Sequence, residues 1–276
     1  MKKVILITGG TGFIGRNLIP LLEKKYEIKI LSREVDGEKI VKGDLVNYDS
    51  VKDVTKNVDE VIHLAYSKNY PENILMTENL IKACKEEEVK KIILLSSMSA
   101  KRSYPDDYGK NKLEIEKIIK NSGINYTILR PSIVYGKGSK SFDFIIEKIK
   151  KLPFIPIIGN GKYAISPVYI DDVICMIDKC VNNKKTDKKE YDLPGGESIW
   201  FRDLIKELKK EINTSKKEIN IPIGICKIVA RISPKVISME NIKNLTEDSK
   251  ADIEIARKDL GYNPVKFSEG IKNGLI

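Results

Sequence analysis

Val4-Ile5-Leu6-Ile7 runs without a break into Thr8-Gly9-Gly10-Thr11-Gly12-Phe13-Ile14-Gly15, and an apolar-periodic segment follows. A buried apolar run, a glycine-dense turn and a helix in that order leave few architectures open, because a strand feeding a helix this directly belongs to a βαβ crossover. The three spaced glycines have separate physical jobs. Gly9 makes the tight turn, Gly12 lets backbone approach a pyrophosphate, and Gly15 lets the helix lie close to its strand. The N–H groups of the first helical turn, those of Phe13 and Ile14, then point at the phosphates. A glycine-rich turn alone is a common structural feature; the strand before it and the helix after it make this one a dinucleotide site. Pro20 lies inside the same helix, where it removes a hydrogen bond to Arg16 and is expected to kink the rod.

Short β-rich runs alternate with amphipathic helical segments through the first two thirds of the chain. The strand candidates are 3–7, 27–31, 40–42, 60–64, 91–95 and 126–129, with helices such as 12–25, 73–88 and 107–121 between them. That alternation implies an α/β fold with a doubly wound parallel sheet and helices on both faces. After Gly136 the pattern loosens, and Pro153, Pro156, Pro167, Pro194, Pro222, Pro234 and Pro264 punctuate shorter elements. These suit a smaller C-terminal substrate lobe over the carboxyl edge of the sheet, where ligands bind. The expected division is a dinucleotide-binding domain over 1–166 and a mixed region over 167–276 that adds to both the sheet and the lobe.

A length of 276 residues is enough for one large domain or a domain with a lobe. No apolar run approaches the ~20 residues of a membrane helix. The first strand begins at Val4, leaving no room for a signal peptide, so a cytoplasmic protein is expected. Cys84, Cys175, Cys180 and Cys226 lack metal-ligand spacing and disulfide density, and read as reduced, mostly buried thiols. The net charge of +10 is spread over lysines interleaved with glutamates, as on solvated helix faces. The densest basic stretch, from Lys206 to Lys235, is followed by Glu240, Glu247 and Asp248. Neither nucleic acid nor a membrane is expected as a partner.

The chemistry resides in Tyr108-Gly109-Lys110-Asn111-Lys112, which opens a helical segment. A four-residue spacing puts the Tyr108 hydroxyl and the Lys112 ammonium on one helix face. An ammonium beside a phenol, together with an oxidised nicotinamide, would lower the tyrosine pKa from ~10 toward working pH and make it a general acid or base. A tyrosine four residues before a lysine is often a surface pair. Here it follows the dinucleotide turn and a strand ending in Ser96-Ser97, which favours the functional reading.

With these motifs the chain resembles the extended short-chain dehydrogenase/reductase family, the NAD-dependent epimerase/dehydratase-like group that includes nucleotide-sugar epimerases and dehydratases. The resemblance spans nearly the whole sequence and implies a Rossmann-type sheet. It includes Gly43-Asp44-Leu45, which in the family borders the adenine, and Val61-Ile62-His63-Leu64-Ala65, whose backbone runs beside the cofactor. Leu129-Arg130-Pro131-Ser132-Ile133-Val134-Tyr135-Gly136 flanks the nicotinamide end, and Pro131 joins the implied cofactor contacts. Pro167-Val168-Tyr169-Ile170-Asp171-Asp172-Val173 and Leu260-Gly261-Tyr262-Asn263-Pro264 match the family's late structural motifs. By the same resemblance Tyr108 transfers the proton, Lys112 holds the nicotinamide ribose and Ser97 steadies the substrate oxygen.

Several departures bear on function. Where an acidic residue would bind the ribose of NAD, this chain has Ser32-Arg33, which suits a 2′-phosphate and favours NADP. Glu34 keeps NAD open, and a solvated Arg33 is the plain alternative. In the epimerase register the serine position falls at Met98, in that of shorter family members at Ser97, with Ser99 a third candidate; Ser97 is the choice, and Ser96 reads as a strand-end bond to backbone. Asn73 matches the asparagine of a water-and-lysine proton relay, or caps a helix. The small residue expected three positions later is Met76. His63, the only histidine, reads as a satisfied buried residue, and no metal site is expected. Nucleotide-sugar enzymes usually carry an arginine where this chain has Tyr163-Ala164-Ile165-Ser166, leaving Lys162 or Arg202 to grip a diphosphate. The expected function is NAD(P)-dependent hydride transfer at a hydroxyl or carbonyl carbon of a small molecule, nucleotide sugars included. The alternatives are an NADPH-dependent reductase of a small carbonyl compound and a non-catalytic NADP-binding scaffold or redox sensor. A homodimer is compatible with all three.

Overall fold

The computed structural model describes residues 2–33, 37, 39–232, 239, 242 and 251–273. Seven parallel strands form the main sheet: β1 (Val4–Thr8), β2 (Glu27–Ser32), β3 (Ile40–Lys42), β4 (Glu60–His63), β5 (Lys91–Leu95), β6 (Asn125–Pro131) and, far along the chain, Lys189–Leu193. Shorter strands intervene in the lobe as β7 (Val134–Tyr135), β8 (Ile155–Ile158), β9 (Ala164–Ile165) and β10 (Val168–Tyr169), so Lys189–Leu193 is β11; β12 (Ile199–Trp200) and β13 (Glu218–Ile221) follow. The sheet order is β3-β2-β1-β4-β5-β6-β11. It reverses direction between β1 and β4, which opens a crevice at their carboxyl ends.

The helices are α1 (Phe13–Leu22), α2 (Tyr48–Thr55), α3 (Tyr70–Glu86), α4 (Asp107–Lys120), α5 (Lys140–Lys151), α6 (Ile170–Cys180), α7 (Phe201–Glu211), α8 (Ile223–Ile232), α9 (Glu254–Leu260) and α10 (Phe267–Gly270). The strand period of two divides the core between both faces. Ile5, Ile7, Ile62 and Ile93 pack with α1, α6 and α9, whereas their neighbours Leu6, Val61 and Ile92 pack with α2, α3 and α4. A third cluster around Tyr135, Phe142, Leu204 and Phe267 fills the lobe. Val265, directly after the second late motif, donates its N–H to Asp172 Oδ2 of the first at 3.1 Å, and Tyr262 of the second donates to the Pro194 carbonyl at 2.6 Å.

Pro20 does not end α1, which runs two residues beyond it to Leu22, short of the expected 25. Arg16 and Pro20 are both exposed, so the Arg16 carbonyl that loses its helical donor faces water.

One buried ionic cluster fixes α4 to the sheet. Glu116 is fully buried; it accepts from Arg130 Nε at 2.8 Å, from Arg130 Nη2 at 2.6 Å and from Ser96 Oγ at 2.5 Å. Arg130 also reaches Glu190 on β11, and Asp192 pairs with Lys101 at 2.6 Å. Removing one partner of a buried bidentate pair costs up to about 3–5 kcal/mol, less here to the extent that Glu190 and Asp192 keep Arg130 paired. Glu116→Ala is therefore expected to lower unfolding free energy by up to that amount in urea titration. A loss below about 1 kcal/mol, the scale of an exposed pair, would contradict this assignment.

Candidate active site

A cleft of about 1510 Å³ runs along the carboxyl ends of the strands and under the lobe. Gly9, Gly12, Phe13, Ile14, Arg33, Asp44, Leu45, Leu64, Ala65, Ser97, Tyr108, Lys112 and Pro131 all line it. Gly15 does not. A Cβ there would stand 2.4 Å from the Gly10 carbonyl oxygen, so its role is the close seating of α1 on the end of β1.

At the glycine end, Gly9 has φ +72°, and a Cβ would fall 2.6 Å from the Ala65 nitrogen. A Cβ on Gly12 would meet only the Gly9 oxygen, at 3.2 Å, so the turn is open toward the cleft. Gly12 caps α1 without a side-chain hydrogen bond, and the first turn holds no acidic residue. Backbone N–H groups at an open helix start are a donor set that fits a pyrophosphate. Farther along, Ser32 is buried and Arg33 exposed, and the Asp44 carboxylate accepts from Val46 N–H at 3.1 Å. Glu34 lies outside the described residues.

At the other end the Asp106 side chain caps α4 by accepting from Gly109 N–H at 2.9 Å. Gly109 is required by packing, since a Cβ would lie 2.4 Å from the Ser99 carbonyl oxygen. That approach brings the Ser97 turn against Tyr108; the Ser97 hydroxyl accepts from Ser99 N–H at 3.2 Å and pulls the Tyr108 phenol down. Among the three serine-register candidates, Ser97 is the one whose hydroxyl acts on the phenol; Ser99 and the buried Met98 also line the cleft. Ser96 bonds through its side chain to Glu116 rather than to backbone, because Glu116 on α4 faces the strand end.

Burial pushes the Tyr108 phenol above its ordinary value, with Ser97 pulling the other way. The Lys112 ammonium, 5.9 Å from the Tyr108 ring centre, does not reverse this, so the expected lowering by lysine is not met by the protein's own groups. Lys112 is itself 5% exposed, and burial brings it down to about 8 against the opposing pull of Glu116. Its ammonium donates to the Leu95 carbonyl at 3.0 Å and sits 4.4 Å from the centre of the Tyr66 ring.

Tyr66 escaped the sequence reading, which followed the β4 motif only to Ala65. Its ring meets Tyr108 edge-on at 5.1 Å, it lines the cleft, and its hydroxyl is buried with no partner. A ring face against an ammonium offsets part of the desolvation of Lys112. The signal was available in its position, directly past a strand end at the crevice.

Asn73 does not cap α3, which begins three residues earlier at Tyr70 with Asn69 before it. Its oxygen accepts from Ser67 N–H at 2.7 Å and its nitrogen donates to the Ser67 carbonyl and to Asn111 Oδ1, at 2.9 and 3.0 Å. It thereby ties the segment after Tyr66 to α4. His63 is buried, 2.7 Å from the Thr8 hydroxyl, and burial drives its pKa down to about 3, so it stays neutral. It does not line the cleft. Nor do Lys162 and Arg202; the Arg202 guanidinium turns to Asn220 and to Glu218, 3.8 Å away. Arg102 and Lys140 line the cleft, as do Tyr163 and Phe201, whose rings stack at 5.0 Å and 15°. Lys140 was hidden in sequence because its place follows from where α5 starts.

Among the described residues no helix is long and apolar enough to cross a membrane. All four cysteines are free; Cys84, Cys180 and Cys226 are buried.

Residues 5–193 match the sequence profile of the NAD dependent epimerase/dehydratase family. The UDP-glucose 4-epimerase of Vibrio cholerae is 27% identical over 315 aligned residues, covering 99% of this chain and 94% of that protein. The 2-alkyl-3-oxoalkanoate reductase of Stenotrophomonas maltophilia is 21% identical, over 97% of each chain. Among solved structures, the UDP-glucuronic acid 4-epimerase of Bacillus cereus in complex with UDP-glucuronic acid and NAD superposes with TM-score 0.77 at 24% identity, covering 98% of this chain and 96% of that one.

The buried lysine carries a testable cost. A folded-state pKa near 8 against 10.5 means the unfolded chain binds the extra proton between those values. Lys112 therefore opposes folding most below pH 8, on the order of 3 kcal/mol, and the penalty fades as pH rises toward 10.5. Lys112→Met is expected to raise the melting temperature at pH 7, with a smaller gain at pH 10. Equal or lower melting temperature at pH 7 would contradict a buried, charged Lys112.

Proposed function

The chain belongs to the NAD dependent epimerase/dehydratase family, and from that premise we propose that it is an NADP(H)-preferring oxidoreductase acting at a hydroxyl or carbonyl carbon, with nucleotide sugars as the substrate class. The single observation that carries this reading is that Ser97, Tyr108 and, one helical turn on, Lys112 line the same cleft as the open glycine turn.

In this reading the amides of Phe13 and Ile14 hold the pyrophosphate at the Gly9-Gly12-Gly15 turn. Arg33, with Ser32, takes the adenosine 2′-phosphate, Asp44 and Leu45 border the adenine, and the backbone of Leu64 and Ala65 runs alongside. Lys112 donates to the nicotinamide ribose, and Pro131 flanks the ring. The nicotinamide, when bound, supplies the acceptor or donor of hydride. Tyr108 takes the proton of a substrate hydroxyl in oxidation and returns one to the carbonyl oxygen in reduction, while Ser97 donates a second hydrogen bond to that oxygen. An ammonium at Lys112 favours the tyrosinate that accepts the proton in the oxidative direction and is left behind in the reductive one. With Lys112 at about 8, that support fades as pH rises through 8.

UDP-glucuronic acid in the solved neighbour and the similarity to a UDP-glucose 4-epimerase support a nucleotide sugar. The stacked Tyr163 and Phe201, with Arg102 and Lys140, supply planar and cationic surface for a nucleoside diphosphate. A second reading, net reduction of a small carbonyl compound, draws on Arg202 being committed to Asn220 and Glu218. The similarity to a 2-alkyl-3-oxoalkanoate reductase points the same way. A panel of nucleotide sugars incubated with substoichiometric cofactor separates the two. Interconversion with no net change in NADPH absorbance supports the first, and stoichiometric NADPH loss on a simple carbonyl supports the second.

Calorimetry tests the cofactor. The solved neighbour holds NAD, but Arg33 favours a 2′-phosphate, so NADP(H) is expected to bind more tightly than NAD(H). Arg33→Ala should weaken NADP(H) selectively; an equal or NAD-favouring affinity in the unaltered chain would overturn the preference. Tyr108→Phe is expected to cut turnover by about 10²- to 10⁴-fold with cofactor affinity nearly unchanged. Retained turnover would remove Tyr108 from the mechanism.

A further inference from the structure

Helix α8 shows an outer face that its packing leaves uncovered. Its inner residues Cys226 and Ala230 are buried in a small cluster with Ile158, Ile221, Met239 and Ile242. On the opposite side Ile225, Ile228 and Ile232 are 51%, 56% and 77% exposed. At 100° per residue these three fall within an arc of about 60°. Ile219 on β13 and Ile223 at the start of the helix are exposed as well, at 43% and 40%. Single exposed isoleucines are ordinary, but a stripe of them along one helix marks a surface that is covered in function.

The charges beside the stripe select the partner. Lys227 and Arg231 are exposed on one flank of it, and the helix holds no carboxylate. The chain as a whole carries +10. Against the sequence expectation of no membrane partner, the isoleucine arc of α8 with Lys227 and Arg231 beside it matches the boundary of an anionic bilayer, where the apolar arc enters the acyl region and the cations meet headgroup phosphates. We propose that α8 docks the protein on anionic membrane surfaces, lying in the interface without crossing it. This inference does not depend on the reaction proposed above.

Co-sedimentation of the full chain with vesicles tests it. Phosphatidylcholine vesicles containing roughly a third phosphatidylglycerol should pellet the protein, pure phosphatidylcholine should pellet about tenfold less, and rising salt should weaken the binding. Ile228→Glu with Ile232→Glu should reduce anionic-vesicle binding by about tenfold or more. Lys227→Glu with Arg231→Glu, which touches only exposed polar positions, should reduce it similarly. Leu75→Glu, an exposed apolar position on α3, should leave it unchanged. Three results would overturn the proposal: no binding to anionic vesicles, undiminished binding by the isoleucine or the cation variant, or a dimer in solution that the same substitutions dissociate.

Discussion

Glu116 stands one helical turn beyond Lys112, and its carboxylate is gripped from β6 by Arg130 and from β5 by Ser96. The helix that carries Tyr108 and Lys112 is thereby bolted to the ends of the two strands that deliver Ser97 and Pro131. Each buried charge meets its opposite in bidentate geometry, which offsets the desolvation that would otherwise expel it. Gly109 completes the seating by admitting the Ser99 carbonyl where any side chain would block it. The spacing of three functional groups on two elements thus follows from one ion pair and one missing Cβ. Without them α4 could pack on the sheet in other ways, and the Ser97 turn would have no reason to lie against Tyr108.

The same burial that fixes the geometry sets the electrostatics. It raises the phenol and lowers the ammonium, so burial disfavours the charged form of each. Tyr66 works against this at Lys112 by presenting a ring face to the ammonium, and Ser97 works against it at Tyr108. A group held charged in a dry site at a cost to stability is what functional sites share and structural cores avoid.

Much of the fold was legible because its signals are local. Strands of period two, the glycine turn and the α4 cap are written in consecutive residues, and β3 and β5 fall on the expected residues. What failed was non-local. Asn73 looked like a cap because a polar residue opened an apolar pattern, yet Tyr70-Pro71 had already begun the helix. Arg202 looked available for a diphosphate because its partners Asn220 and Glu218 arrive from a strand many residues later. Tyr66 carried no motif, and its importance emerges only where the end of β4 meets α4. Spacing left Ser97, the Met98 position and Ser99 as registers, with Ser97 chosen, since the turn Met98–Lys101 decides which side chain lies beside Tyr108.

The central claim is that one dinucleotide lies along the cleft, from the α1 turn to the Tyr108–Lys112 pair. A crystal structure of the chain with NADP(H) tests it most directly. The expected result has the pyrophosphate on the amides of Phe13 and Ile14, the 2′-phosphate at Arg33, the nicotinamide ribose at Lys112, and the Tyr108 hydroxyl facing the nicotinamide edge. A dinucleotide bound with its nicotinamide at the Arg33 end, or outside this cleft, would contradict it.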